Sequence, residues 1–266
     1  MTAPLPYETS GNKSSKQLLV FLHGWPDTTA IWDNIIPPLQ QNHYILNISY
    51  PNYSPKEKNP WGITPDETIK RLKVTIDQVN DTNRAIILVG HDWGAFYAYF
   101  LDYKHPKYVE EIIALDVGAM VPIKNPFFVA FLLCYQLVLI TAFLIGGMIG
   151  RWITKMVMTL FMYHPPWMNR VDASWNYPYY QLWRMLLTNK FRVMPDYKPS
   201  CNVVFVSGDK KPLKIYNEDW VRLLKQNPRN EIHNEKFVHW IQIEMPEYLI
   251  SLIKRRTALL LTQTNK

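Results

Sequence analysis

"AIILVGHDWGA", residues 85–95, is the stretch on which the fold turns. Ala85 to Val89 form an apolar, largely β-branched run that reads as a buried strand. The run stops at Gly90, and a second glycine, Gly94, follows Asp92 by two residues. At such a strand-to-helix turn, Gly-x-Ser-x-Gly presents a nucleophilic serine. Here the central position holds the carboxylate of Asp92. Two roles fit it: a helix N-cap, or a nucleophile whose charge the helix N-terminus stabilises.

Working outward, strands and helices alternate. Leu18–Leu22 is a short apolar strand ending at His23-Gly24. Thr28 or Thr29 is placed to cap a helix running to about Gln40, and Tyr44–Ser49 is a second strand. "TPDETIKRLKVTIDQV" (64–79) opens with a capping box, Thr64 and Glu67, with Pro65 at the first helical position. The spacing predicts a strand over 85–90, a helix over 93–104 and a strand over 111–116. From 120 to 195 the pattern turns helical, rich in aromatics and Met. The alternation then resumes with a strand over 202–207, a helix over about 218–226, "EIHNEKF" (231–237) and a helix over about 244–261. This order predicts a mostly parallel α/β core over 1–119 and 196–266, interrupted by a helical insertion over 120–195.

The 266 residues are 48% hydrophobic and carry a net charge of +7. The basic residues are scattered, which suits a solvated surface first, an anionic membrane surface second, and nucleic acid least. Cys134 and Cys201 are too few and too far apart for a disulfide framework or a zinc site and fit a reducing compartment. No signal-peptide core is present at the N-terminus, so an intracellular location is expected, in the cytoplasm or on the cytoplasmic face of a membrane. Phe127–Gly150 contains no charged residue and is long enough to cross a bilayer. A single crossing would put the two halves of the core on opposite sides. A buried or pocket-lining insertion is therefore expected, with interfacial membrane contact as the alternative, and Gly146-Gly147 permits a hairpin.

Two further stretches carry chemistry. "HGWPDT" (23–28) follows the first strong strand, where the loop after such a strand supplies half of an oxyanion hole. The two N–H groups would be those of Trp25 and Trp93. His239, in "FVHWIQIEMPEYL", lies after the last strand-like segment and before the last helix, in the chain order nucleophile, acid, histidine.

In motif order over nearly the whole chain, these three stretches resemble the α/β-hydrolase superfamily, and within it the Asp-nucleophile branch of epoxide hydrolases and haloalkane dehalogenases. The resemblance implies an α/β-hydrolase fold, a mostly parallel sheet flanked by helices with an inserted helical cap, and one or two leading strands missing from the short N-terminus. It implies Asp92 as nucleophile and His239 as base. The usual acid position after the penultimate strand holds Lys211 in "SGDKKP", so the acid is expected at Asp116, with Asp209 as the alternative. In this branch two cap tyrosines polarise an epoxide oxygen. The candidates are Tyr135 and, of the pair Tyr179 and Tyr180, Tyr180. The implied activity opens an apolar epoxide to a diol, with no cofactor and no metal. A dehalogenase, and a non-catalytic membrane-associated or binding protein, are the alternatives.

Overall fold

The computed structural model describes residues 2–161, 163–188, 190, 193–211 and 214–264. Seven strands form one sheet: β1 Tyr7–Gly11, β2 Gln17–Leu22, β3 Tyr44–Ile48, β4 Ala85–His91, β5 Glu111–Leu115, β6 Asn202–Gly208 and β7 Glu231–Glu235. Their order is β1-β3-β2-β4-β5-β6-β7, with only the β1–β3 pair antiparallel. The central strands β2, β5 and β6 are buried along their whole length, as helices on both faces of a parallel sheet require. Neighbour order reverses between β2 and β4, so the crevice at their carboxyl ends is the natural ligand site of such a sheet. "HGWPDT" leaves one of these strands and "HDWGA" the other.

The helices are α1 Pro65–Val79, α2 Trp93–Lys104, α3 Pro126–Ile145, α4 Gly147–Leu160, α5 Tyr177–Leu187, α6 Glu218–Leu224, α7 Ile241–Glu244 and α8 Pro246–Thr264. Helix α1 starts where its capping box predicts, Thr64 Oγ1 accepting from Glu67 N–H at 3.2 Å. It buries Ile69, Leu72, Ile76 and Val79, one face at helical spacing. Two local expectations need correction, and one strand is added. The helix expected from Thr28 to Gln40 is two separate 3-10 turns, Thr29–Trp32 and Pro37–Leu39, because Pro37-Pro38 cannot continue an α-helix. The last helix is α7 and α8, divided before Pro246. The N-terminus supplies an edge strand, β1, whose polar "YETSG" carries no hydrophobic signal.

Helices α3, α4 and α5 lie between β5 and β6, and those strands pair directly from Glu111↔Asn202 to Leu115↔Val206. Both ends of the insertion therefore leave one edge of one sheet, which excludes a single membrane crossing. Gly146 and Gly147, at φ +63° and +53°, make the hairpin between α3 and α4. The expectation of a buried insertion is only partly met. The most apolar 18-residue window of α3 has a mean hydropathy of 2.5, yet only 28% of it is buried.

The turn at Asp92 rests on close approach of backbone to backbone. A Cβ on Gly94 would lie 2.0 Å from the Leu22 carbonyl oxygen, and one on Gly90 would lie 2.6 Å from the Gly94 carbonyl oxygen. Neither obstacle is a flexible side chain. Gly94→Ala is expected to lower the unfolding free energy by ~3 kcal/mol or to prevent folding, measured by urea denaturation.

Candidate active site

Asp92 follows β4 with φ +52° and ψ −117°. This left-handed backbone costs on the order of 1–3 kcal/mol in a non-glycine residue. Its carboxylate makes no capping bond to α2. Instead Oδ2 accepts from the Trp25 N–H at 2.9 Å. A Cβ on Gly24 would come within 2.8 Å of that same Oδ2, so the loop after β2 reaches Asp92 only because residue 24 has none. Trp93 begins α2, and its N–H is one of the first-turn donors that a helix leaves without an intrahelical acceptor. The helix-cap role is thus not the one Asp92 fills.

Trp25 is held from behind. Its indole N–H donates to Asn176 Oδ1 at 2.9 Å, and the Asn176 amide donates to Thr154 Oγ1 at 2.7 Å. Asn176 and Thr154 are fully buried, so this chain ties the loop after β2 to α4 through satisfied bonds.

Asp116 follows β5 at φ +69° and is buried. Its Oδ1 accepts from the Gly208 N–H at 3.0 Å. Its Oδ2 contacts both His239 Nδ1 and the Lys211 ammonium. Burial alone would raise its pKa. The Lys211 charge and the bond from His239 outweigh that and hold the carboxyl below the usual carboxylate range. Asp209 is exposed, and its N–H donates to the Glu235 carbonyl at 3.0 Å. Among the described residues Asp116 is the carboxylate that meets His239, and Lys211 contacts that same carboxylate.

His239 sits between β7 and α7. With Nδ1 against a carboxylate, its proton is assigned to Nδ1 and its Nε2 is left as a free base. His91 fixes its backbone: His91 Nε2 donates to the His239 carbonyl at 3.0 Å, and the two rings lie 4.5 Å apart. His91 Nδ1 is 3.3 Å from Asp27 Oδ2, off the angle of a hydrogen bond, so the contact is electrostatic. Burial opposes a charge on His91, but Asp27 prevails and raises its pKa. The other oxygen, Asp27 Oδ1, accepts from the Tyr163 hydroxyl at 2.5 Å. This second tier of His91, Asp27 and Tyr163 is absent from the sequence reading. The Asp inside "HGWPDT" is the signal that points to it.

Two tyrosines of the insertion reach this region. Tyr135 on α3 and Tyr179 on α5 meet edge to face at 5.9 Å, and Tyr179 lies 5.3 Å from Trp93 and 5.6 Å from Trp25. Burial pushes both hydroxyls well above the usual tyrosine range, and the Asp92 charge pushes them further. Both are therefore protonated donors at neutral pH. Tyr180, the expected second donor, packs instead against Trp61 at 5.8 Å and Phe143 at 5.1 Å. Successive helical residues point about 100° apart, so α5 turns only one of the pair toward Trp93. Among the described residues no group of His, Cys, Asp or Glu could hold a metal ion.

Two measurements follow from these contacts. Lys211→Met leaves the buried Asp116 with one cationic partner fewer and is expected to cost about 3 kcal/mol of stability. Asp209→Asn at the exposed neighbour is expected to cost under about 0.5 kcal/mol; urea denaturation compares them. His23 is wholly buried, and burial pushes its pKa down to about 4 from the ordinary imidazole value of 6.5. A lowered folded pKa means that the unfolded chain binds the proton first. Its contribution is thus complete above pH 6.5 and falls by roughly 1.4 kcal/mol per pH unit as the pH drops toward 4. His23→Gln is expected to flatten that part of the stability profile in denaturation followed from pH 7 to 4.

Residues 19–251 match the Alpha/beta hydrolase family. A soluble epoxide hydrolase of Corynebacterium sp. (strain C12) is 28% identical over 111 residues, covering 42% of this chain and 37% of that protein. The chain spans about a third of the length of the curated relatives it matches. Among solved structures, the epoxide hydrolase CorEH without ligand aligns with a TM-score of 0.70 at 18% identity, covering 96% of this chain and 94% of that one. A haloalkane dehalogenase loop variant, DbeA-M1 from Bradyrhizobium elkanii, aligns with a TM-score of 0.71 at 15% identity, covering 98% and 95%. At these identities both likenesses speak for the fold.

Proposed function

Because the chain belongs to the Alpha/beta hydrolase family, we propose that it is an epoxide hydrolase working through an Asp92 ester. The observation that carries this reading is the packing of Tyr179 against both Trp25 and Trp93, the residues that flank Asp92 in space and in sequence, with Tyr135 edge to face on Tyr179. A pair of tyrosine hydroxyls near a carboxylate would suit a substrate that has an oxygen to activate and a carbon to attack. The epoxide hydrolase relatives are consistent with it.

In the first step the free oxygen of Asp92 attacks a ring carbon and the ring C–O bond breaks. The departing oxygen takes its hydrogen bonds, and then a proton, from the Tyr135–Tyr179 pair. A carboxylate needs no base for this, being ionised at neutral pH. In the second step His239 Nε2 removes a proton from water, whose oxygen attacks the Asp92 ester carbon. Charge develops on Oδ2, where the Trp25 N–H already donates at 2.9 Å, and the Trp93 N–H would be the second donor. The imidazolium formed is balanced by Asp116. Collapse breaks the ester C–O bond, the departing alkoxide takes the imidazolium proton to give the diol, and the proton left on the Asp92 carboxyl returns to the tyrosinate, which restores the starting enzyme. The insertion acts as the cap over this site, and its apolar, aromatic wall selects an apolar epoxide.

The dehalogenase alternative needs N–H donors free for halide. The Trp25 indole N–H is already bound to Asn176, which weighs against it. An idle hydrolase-like protein needs no Asp116–His239 pair.

The test is a single turnover of a styrene-oxide-type or fatty-acid epoxide in oxygen-18 water. Label is expected in the Asp92 carboxylate, and Asp92→Asn is expected to lower diol formation by at least ~10³-fold. Tyr179→Phe is expected to slow ester formation by ~10–100-fold, with Tyr180→Phe near wild type. Diol absent across a broad epoxide panel, with the fold intact, overturns the reading. Halide release from haloalkanes would put the dehalogenase in its place.

A further inference from the structure

The α3–α4 hairpin exposes more apolar surface than the chain itself covers. On α3, Phe127, Phe131, Val138 and Ile145 follow one another at helical spacing and are all exposed. At the tip Met148 and Ile149 are 86% and 62% exposed, and Trp152, one turn along α4, is 66% exposed. The two threonine hydroxyls on this face are already satisfied. Thr141 Oγ1 donates to the Leu137 carbonyl at 2.8 Å, and Thr159 Oγ1 to the Lys155 carbonyl at 3.0 Å. No charged residue occurs from Asn125 to Gly150. The apolar side chains of such a surface gain by leaving water, and its bonded hydroxyls cost little.

Charge says what covers it. Residues 120–195 contain seven Lys or Arg and a single acid, Asp172, so less than a third of the chain holds six of its seven net positive charges. Asp172 is already paired with Arg151 at 3.0 Å. Lys124 stands just before α3, and Lys155 sits on α4 between Trp152 and Thr159, without a carboxylate partner among the described residues. The apolar face is thus flanked by cations with almost no anion of its own. A second copy of this chain brought onto it would oppose like charges, which costs affinity. An anionic lipid surface answers both features. Apolar side chains enter the acyl boundary by about 5–10 Å, while lysines and arginines meet lipid phosphates and carboxylates.

We propose that the α3–α4 hairpin is a membrane-docking surface, by which the protein lies on an anionic bilayer without crossing it. The β5–β6 pairing keeps both ends of the insertion on the same side. Helix α3 lies on the surface through its exposed face, while its other face holds Leu139 and Ala142 against the rest of the protein.

The full chain is sedimented with large vesicles of phosphatidylcholine, with and without phosphatidylserine. Co-sedimentation is expected with the serine-containing vesicles and should weaken in high salt. Met148→Glu/Ile149→Glu changes two exposed tip side chains and is expected to reduce binding at least tenfold with an unchanged circular dichroism spectrum. Lys124→Glu/Lys155→Glu is expected to cost roughly fivefold per basic residue removed on anionic vesicles only. Asp92→Asn is expected to bind as wild type does, so this outcome stands apart from that of the hydrolase reading. Wild-type protein left in the supernatant, or a tip variant that binds equally well, overturns the proposal. A dimer seen in analytical ultracentrifugation that the tip variant dissolves, with no vesicle binding, assigns the surface to a second copy instead.

Discussion

The contact on which the rest of the structure depends is the bond from the Trp25 N–H to Asp92 Oδ2. It joins the loops at the carboxyl ends of β2 and β4, where neighbour order in the sheet reverses. The two turns come together because residues 24, 90 and 94 lack a Cβ that would collide with backbone or with Asp92 itself. Asp92 adopts a left-handed backbone there, and its carboxylate turns away from the helix it precedes. A capping aspartate would satisfy first-turn N–H groups of α2. This one leaves them without that acceptor, so the Trp25 N–H meets the carboxylate while the first-turn donors of α2 stay uncapped by it. That arrangement stabilises an anion at the carboxylate and at whatever forms from it.

The second half of the site depends on strand order rather than local sequence. Asp116, Lys211 and His239 follow β5, β6 and β7, and those strands are neighbours. A carboxylate at the end of β5 is therefore one strand away from where a carboxylate after β6 would stand. Lys211 occupies the latter place and inverts its charge. Its ammonium keeps Asp116 ionised against the cost of burial, and it shares Oδ2 with His239. The imidazole thus faces an acceptor already partly neutralised by a second cation, which distinguishes this acid from one bonded to histidine alone.

What was legible in the sequence was what local pattern determines. The strand–turn–helix around Asp92, the capping box at Thr64 and the Gly146-Gly147 hairpin each follow from residues within a few positions, and each stands where the spacing predicts. Strand β1 was not legible, because an edge strand paired on one side needs no apolar alternation. The choice of Tyr180 over Tyr179 missed by one residue of helical phase, which is set by what α5 rests on, here Trp61 and Phe143 against Tyr180. The second tier behind His239 draws on residues 27, 91 and 163, which only the folded sheet brings together.

Helix α3 shows why uniform hydropathy is the hardest signal to read. An amphipathic helix such as α1 declares its buried face through its period. A helix apolar on every side gives no face, and it fits a core, a bilayer or an interface equally well. The sheet decides among these. Pairing of β5 with β6 returns the chain to its starting side, so α3 does not act as a lone span. The remainder of the fold covers one side of the helix, where Tyr135 and Leu139 lie, and leaves Phe127, Phe131 and Val138 exposed. One helix therefore carries both Tyr135, packed edge to face on Tyr179, and an outer wall that water solvates poorly. In the proposed reading these two faces belong together, since an enzyme for apolar epoxides gains by resting its cap on the phase in which such substrates dissolve.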